Sequence, residues 1–172
     1  MKKTLVVNGS PRTDGFSSAV AEYIKKRLDG CTVISPDVRH CTGCDMCRAG
    51  ECVINDDMQA YYGLIRDADN IIFVSPLYFS MLTGKMLTFA SRWQYFYRRP
   101  CTGQKNGAVI LLGGGSTKDT QKAFSTAKII MRYAGIEEPQ LAAFVGTDSA
   151  DPLKDKDFLN KLDEITKKAS SD

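Results

Sequence analysis

Long hydrophobic runs are missing from this sequence, and so is a strong excess of charge of either sign. No apolar run approaches the length of a membrane span. The first residues, Met1 to Thr4, lead into an apolar stretch that is shorter than the apolar region of a secretory signal peptide. The net charge is +3, from 23 basic and 20 acidic residues, which indicates neither a nucleic-acid groove nor a membrane-surface protein. We therefore expect a cytoplasmic protein that binds neither nucleic acid nor a membrane.

Several signatures of other function classes are also missing. The G-x4-G-K-[ST] loop of ATP- and GTP-binding proteins and the G-x-G-x-x-G dinucleotide fingerprint are both absent. The single histidine, His40, is typical of a solvated loop residue, and the sequence offers no plausible catalytic triad. The predicted strand ends at Asn8 and Ser75 lack the aspartate that a phosphoryl-receiving signalling domain requires.

Five short apolar runs alternate with segments of helical period along the 172 residues. Because these runs are continuous, they predict strands buried on both faces of a parallel sheet. The pattern predicts an α/β fold in one domain over residues 1–172, with a cysteine-rich loop at 41–52. The expected architecture has three layers around a doubly wound, five-stranded parallel sheet of order 2-1-3-4-5. The predicted strands contain the runs Leu5–Val7, Thr32–Ile34, Ile71–Val74, Val109–Leu112 and Leu141–Val145.

One predicted helix carries apolar residues on almost every face. Met86, Phe89, Ala90, Trp93 and Tyr97 share one side of it, and further aromatic residues follow at positions 95 and 96. A helix that is apolar all round needs cover beyond its own sheet. We therefore expect this helix to form an interface between subunits.

The loop after the first predicted strand has the composition of a phosphate-binding site. Because it opens a helix, it offers unpaired backbone N–H groups and the positive end of a helix dipole. Serine hydroxyls and an arginine fork add donors to that site. A serine-capped helix start is the alternative interpretation. The candidate contacts are Ser10, Pro11, Arg12, Gly15, Phe16, Ser17 and Ser18.

The loops after the third and fourth predicted strands offer an apolar surface and a flexible backbone. The segment Pro76, Leu77, Tyr78 and Phe79 places two aromatic rings where a strand end should be exposed. Such a surface beside free backbone groups suits a flat heteroaromatic ring, although the rings could instead cover the core or a dimer seam. Gly113, Gly114 and Gly115 let the chain pass close to a ligand, which by itself is weak evidence.

These motifs resemble those of the NAD(P)H-dependent FMN reductases of the flavodoxin-like superfamily. The resemblance rests on Gly9 to Arg12 with Ser17 and Ser18, and on Ser75 to Phe79. It implies an FMN cofactor whose phosphate lies near Ser10, Arg12, Ser17 and Ser18. Residues 76–79 and 113–115 would then frame the isoalloxazine ring. It also implies a homodimer or tetramer with each flavin near a subunit seam.

Four of the six cysteines lie in one loop, at Cys41, Cys44, Cys47 and Cys52. Three thiolates at C-x2-C-x2-C spacing with a fourth nearby match the ligand set of a [4Fe-4S] cluster. A four-thiolate zinc site and an unmetallated loop remain alternatives. The pattern around these residues resembles the iron–sulfur flavoprotein branch of the same family, which implies a [4Fe-4S] cluster near the flavin of a neighbouring subunit. Cys31 and Cys101 are expected to be inert thiols.

The resulting hypothesis is an FMN-dependent oxidoreductase that moves electrons between NAD(P)H or a ferredoxin-like donor, FMN and the cluster or an external acceptor. No side chain is required as a nucleophile or general base. One alternative is an NAD(P)H-dependent FMN or quinone reductase without a cluster. Another is a non-enzymatic flavin electron carrier or redox sensor.

Overall fold

The strands and helices alternate along the chain in a three-layer α/β arrangement. The computed structural model describes residues 1–115, 117 and 119–171. The strands in this part of the chain are β1 (Thr4–Asn8), β2 (Cys31–Ile34), β3 (Asn70–Tyr78), β4 (Met81–Leu82), β5 (Asn106–Gly113) and β6 (Gln140–Val145). The α-helices are α1 (Phe16–Lys25), α2 (Met58–Asp67), α3 (Gly84–Ser91), α4 (Gln94–Arg98), α5 (Gln121–Arg132) and α6 (Lys156–Ser170).

The parallel sheet is confirmed, but its predicted strand count and numbering were wrong. The five parallel strands lie in the order β2-β1-β3-β5-β6, and β4 pairs antiparallel with the end of β3. The predicted order 2-1-3-4-5 over five strands omitted β4, because a strand of two residues leaves no periodic pattern in the sequence. The consequence for the site is that β3 does not end in a plain loop but continues into a tight hairpin.

Alternate side chains of the central strands enter two separate cores. In β3, Ile71 and Phe73 face the layer formed by α2, α3, α4 and α5, whereas Ile72 and Val74 face α1 and α6. All four side chains are at most 1% exposed. Successive residues of a strand point to opposite faces, so a run of four apolar residues is what a doubly covered strand requires. Both faces of β3 are therefore covered by helices.

The apolar helix predicted around Trp93 is interrupted, and most of its aromatic residues face the chain's own core. The chain turns between α3 and α4, with Arg92 and Trp93 at the turn. Trp93 is 2% exposed, and its ring packs edge-on against Phe73 and Phe96 with centroids 5.5 Å apart in each pair. The turn redirects these rings inward, so the reason given for a subunit interface on this helix was wrong for Trp93, Tyr95 and Phe96. Tyr97 alone of the four aromatic residues stays half exposed.

The cysteine-rich segment between β2 and α2 has little regular structure. Residues 35–57 contain only one 3₁₀ helix, Met46–Arg48, and no strand or α-helix. Two residues in this segment, Gly43 and Asp45, adopt positive φ angles of 71° and 62°. In the part of the chain described here, no helix combines the length and apolarity needed to cross a bilayer.

Candidate functional site

A large open cavity lies at the carboxyl ends of the parallel strands. Its volume is about 1020 Å³, at the upper end of the range of about 300–1,000 Å³ that is usual for ligand pockets. The loops after β1, β3, β5 and β6 all contribute to its wall. The lining residues are Ser10, Arg12, Asp14, Gly15, Phe16, Ser17, Ala19, Pro76, Leu77, Tyr78, Phe79, Ser80, Leu112, Gly114, Thr117, Thr147 and Asp148.

The loop after β1 brings a helix start and hydroxyl groups to one side of this cavity. Helix α1 begins after Gly15, and neither a side-chain cap nor an acidic residue occupies its first turn. Its first backbone N–H groups are therefore available to an anion, and the helix dipole favours one there. Ser10 and Ser17 are nearly buried beside it, at 4% and 3% exposure. Arg12 lies at the rim, where its Nε is 3.5 Å from the Asp14 carboxylate.

Contacts with β3 and α3 hold the loop after β1 in place. Its Gly9 N–H donates to the Val74 carbonyl at 2.8 Å, and the Thr83 hydroxyl donates to the Gly9 carbonyl at 2.6 Å. A Cβ atom at Gly9 would lie 2.7 Å from Met86 Cε and 2.9 Å from Met86 Cβ. Only glycine therefore allows the loop to pass this close to α3. Two hydrogen bonds and close packing against Met86 thus hold the candidate phosphate-binding loop.

The β3–β4 hairpin forms a second wall with exposed aromatic side chains. Tyr78 pairs with Met81, and the two residues between them, Phe79 and Ser80, have φ angles of 55° and 61°. Two successive positive φ angles define the tight hairpin turn that is compatible with the strand twist, although glycine and asparagine usually occupy it. Phe79 is fully exposed and Tyr78 is 45% exposed. A strained turn therefore presents an aromatic ring to the cavity mouth.

The loop after β6 supplies residues that sequence reasoning missed. Asp148 Oδ2 accepts a hydrogen bond from the Gly115 N–H at 2.8 Å. A Cβ atom at Gly114 would lie 2.6 Å from the same oxygen, so glycine is needed for this contact. Thr147 and Asp148 follow the last strand of the sheet, and that position was the one available signal for them. Thr147 and Asp148 line the cavity next to Gly114, which belongs to the glycine loop, residues 113–115.

The structure places most of the predicted flavin-site residues around this one cavity. Ten of the fourteen line it: Ser10, Arg12, Gly15, Phe16, Ser17, Pro76, Leu77, Tyr78, Phe79 and Gly114. The remaining four, Pro11, Ser18, Gly113 and Gly115, do not. The Ser18 hydroxyl instead accepts from Asn8 Nδ2 at 3.0 Å and donates to the Arg12 carbonyl at 3.2 Å. Ser18 thus links the two ends of the loop after β1 and does not line the cavity.

The four loop cysteines share a narrow cleft on the opposite layer from α1 and α6. Cys41, Cys44, Cys47 and Cys52 line it together with Tyr62, Arg92 and Tyr95. Over residues 1–115, 117 and 119–171, no three His, Cys, Asp or Glu side chains converge closely enough to hold a metal ion. Four cysteines are the ligand set that a [4Fe-4S] cluster requires. Their sulfur atoms would have to draw together on metal binding.

The thiols of this cleft differ in their electrostatic surroundings. A hydrogen bond from the Met46 main chain, with a second from the Thr42 hydroxyl, lowers the pKa of the exposed Cys44 thiol. Burial raises the pKa of the Cys47 thiol. Outside the loop, burial raises the pKa of Cys31 to about 11. Cys44 therefore has the most thiolate character of these three thiols, because only its pKa is lowered.

Comparisons with known proteins agree with this geometry. The chain is 33% identical over 129 residues to an iron-sulfur flavoprotein of Archaeoglobus fulgidus, covering 70% of this chain and 59% of that protein. It is 29% identical over 140 residues to an iron-sulfur flavoprotein of Methanosarcina thermophila, covering 76% of this chain and 73% of that protein. The chain thus spans somewhat less than two thirds of the Archaeoglobus relative.

A solved structure and a family model define the relationship further. An FMN-dependent NADH-azoreductase of Bacillus anthracis in complex with FMN superposes with a TM-score of 0.60, at 17% identity and 98% coverage of both chains, which shows a shared fold. The family model described as NADPH-dependent FMN reductase matches residues 2–146. This match covers most of the chain. The protein is therefore a member of the NADPH-dependent FMN reductase family of oxidoreductases.

Proposed function

We propose that this chain is an FMN-dependent oxidoreductase that moves electrons between NAD(P)H or a ferredoxin-like donor and a [4Fe-4S] cluster on Cys41, Cys44, Cys47 and Cys52, or an external acceptor. The observation that carries the proposal is the cavity at the carboxyl edge of the sheet. It joins an uncapped helix start to an aromatic hairpin, which matches a ligand with a phosphate at one end and a flat ring at the other. Family membership supports the same ligand.

Within this proposal, the residues around the cavity have separate tasks. The N–H groups at the start of α1, with Ser10 and Ser17, would hold the FMN phosphate. Arg12 would add charge from the rim, where solvent weakens its contribution. Pro76 to Phe79 and Gly114 would contact the ring. When bound, FMN supplies the exchange between two-electron and one-electron partners, while the protein orients it and limits access of water.

The cluster is supported by the chemistry of the cysteine loop and by the names of its relatives. Four cysteines line one cleft, and two curated relatives are named iron-sulfur flavoproteins. The spacing of the sulfur atoms is the observation that favours the cluster-free reductase as a second candidate. Iron content after anaerobic purification distinguishes the two. About four irons per chain supports the cluster, whereas none supports the reductase.

A second copy of this chain is the partner that we propose for the cavity mouth. Phe79 is fully exposed there, and Tyr78 and Met81 are 45% and 40% exposed. An apolar rim of this kind gains from being covered in an oligomer. Replacing Phe79 by Ser should shift the mass measured by light scattering toward the monomer if this rim lies at the seam. An unchanged mass would place the seam elsewhere.

The visible spectrum of anaerobically purified protein tests the proposed function directly. We expect flavin bands on a broad iron–sulfur shoulder, and bleaching of the flavin on addition of NADH or NADPH. Flavin bands without the shoulder would select the cluster-free reductase. If neither nucleotide reduces the flavin but a reduced ferredoxin does, the electron donor is a ferredoxin-like protein and not NAD(P)H. Flavin that no donor reduces at a useful rate would indicate a redox sensor, and colourless protein would contradict FMN binding altogether.

A further inference from the structure

A buried arginine lies directly behind the cysteine loop. Arg92 is only 1% exposed, although it is one of the largest side chains in the core. Its Nη1 donates to Asp56 Oδ2 at 2.7 Å and to the Arg39 carbonyl at 3.0 Å. Its Nη2 donates to Cys52 Sγ at 3.4 Å and to the Ile54 carbonyl at 3.3 Å. One guanidinium thus contacts residues before the first cysteine of the loop and residues at and after its last.

The neighbouring residue holds the other end of the cysteine series. The Cys41 N–H donates to Ser91 Oγ at 2.9 Å. Ser91 is the last residue of α3, and Arg92 follows it directly. The end of this helix therefore fixes the main chain of the first cysteine and the sulfur of the last. These contacts compensate for the lack of regular structure between residues 35 and 57.

Burying an arginine is costly, so its contacts point to a role beyond packing. A buried ion pair often contributes no more to stability than apolar residues of similar volume would. The Nε atom of Arg92 is buried and has no hydrogen-bond partner among the described residues, so one donor of the fork is still free. Arg92 lines the cysteine cleft, so its contact with Cys52 and its unpaired Nε belong to one side chain at this cleft. Cationic N–H groups at this place stabilise negative charge on sulfur.

We propose that Arg92 is the positioning residue of the cysteine centre: it holds both ends of the loop in register and, through its N–H···S contact with Cys52, raises the reduction potential of the cluster. The inference rests on the proposed function of this loop as a [4Fe-4S] site. Reduction adds negative charge that is shared by the ligand sulfurs. A hydrogen bond from a cation to one of those sulfurs therefore stabilises the reduced form more than the oxidised form.

The experiment compares wild type with Arg92→Gln, Arg92→Lys and Arg98→Gln after anaerobic reconstitution with iron and sulfide. The Arg98 variant is the matched control, because Arg98 Nη2 pairs with Asp45 of the same loop at 2.9 Å and Arg98 donates to no sulfur among the described residues. FMN content reports folding, iron content reports loading, and an EPR-monitored redox titration gives the midpoint potential. At the wild-type midpoint, we expect Arg92→Gln to lower the ratio of reduced to oxidised cluster about tenfold, a shift of about 59 mV to more negative potential.

The control and the conservative variant separate an N–H···S effect from a general loss of charge. Arg92→Lys keeps the charge but not the fork, so its potential should lie between wild type and Arg92→Gln. Arg98→Gln should shift the potential far less. If Arg92→Gln does not fold, as shown by loss of FMN, the midpoint potential of Arg92→Lys is compared with the wild-type potential instead. Wild-type potentials in both Arg92 variants, or an equal shift in Arg98→Gln, would overturn the inference.

A metal-free measurement tests the positioning role separately. In iron-free protein, Arg92→Gln should increase the rate of limited proteolysis within residues 35–57, while Arg98→Gln should change it less. Equal rates in wild type and Arg92→Gln would overturn the claim that Arg92 holds the loop. Wild type that takes up no iron would refute the proposed cluster and with it the tuning of the potential, whereas loaded wild type with unshifted Arg92 variants refutes the tuning alone.

Discussion

The cavity at the sheet edge and the cysteine cleft are built in opposite ways. The cavity is formed by loops that leave four neighbouring parallel strands, so the register of the sheet sets the distances between its walls. The cysteines of the cleft lie on a segment without strands or α-helices, which side chains from outside hold in place: Ser91 and Arg92, and also Gln59 and Arg98. The first site is thus formed by folding alone, whereas the cysteines of the second would have to draw together to hold the proposed cluster.

The largest expected effect separates the two sites. Cys47→Ser should lower the iron content well below about four irons per chain, since it removes one thiolate of the proposed four-thiolate set. FMN content should remain at the wild-type level, because the cavity shares no residue with the cleft. Iron and flavin assays on the reconstituted protein provide the measurement. Cys31→Ser lies outside the loop and is the control, which should keep its iron. If Cys47→Ser loses FMN as well as iron, the two sites are not independent.

The second effect concerns the attachment of the cysteine loop to the domain. Although burial acts to raise the pKa of Asp56, hydrogen bonds from Arg92 and the Arg39 main chain hold it below its ordinary value of 3.8. Asp56→Asn leaves the buried Arg92 charge unpaired and should cost about 3 kcal/mol of unfolding free energy at pH 7. Denaturant unfolding measures this, with the exposed neighbour Asp57→Asn as control.

The same carboxylate predicts a pH dependence. Because the folded pKa is depressed, the stability from Asp56 is fully present above about pH 3.8 and is lost as the pH falls through the lower, folded value. The difference in stability between wild type and Asp56→Asn should therefore shrink below pH 3.8. A difference that stayed constant down to pH 2 would show that this ion pair does not anchor the loop.

A third, smaller effect tests the preformed character of the cavity. Asp148→Ala removes the acceptor for the Gly115 N–H and frees the glycine loop. We expect about tenfold weaker FMN binding, about 1.4 kcal/mol, since the loop must then be ordered on binding. Fluorescence titration of the apoprotein measures this affinity. Asp157→Ala, an exposed acidic change on α6, should leave it unaltered, and equal affinities in all three proteins would remove Asp148 from the site.

The smallest effect concerns the strain in the hairpin. Ser80 has φ 61°, so Ser80→Gly should stabilise the fold by about 1 kcal/mol. Ser80→Ala is the contrast, because alanine meets the same steric penalty and should give no gain. Thermal unfolding compares the two. Equal stability in both variants would show that the turn stores no strain at this position.

The parts of the molecule that sequence reasoning captured are those with a repeating local signal. The runs Leu5–Val7 and Ile71–Val74 predicted buried strands because every side chain is apolar and each lies on one covered face or the other. The hairpin strand β4 could not be found in this way, because two residues have no period. The turn at Arg92 between α3 and α4 could not be predicted for a related reason: the aromatic pattern continues past Arg92 although the helix does not.

The site shows the same division. Ser10, Arg12 and Ser17 could be predicted because a polar loop after a buried strand marks a helix start. The contact of Asp148 with Gly115 could not be predicted, since it joins residues 33 positions apart through tertiary structure alone. The cysteine spacing indicated a shared cleft, but it could not predict the contact between Arg92 and Cys52, because these two residues lie 40 positions apart in the sequence.

Binding of FMN in comparison with riboflavin is the measurement that tests the central claim most directly, because the two ligands differ only in the phosphate that the start of α1 would hold. Titration of the apoprotein should give FMN at least about a tenfold lower Kd than riboflavin, and Ser17→Ala with Arg12→Gln should narrow that gap. Equal affinity for both ligands in the wild-type protein, or binding of neither, would contradict the assignment of this loop to the phosphate.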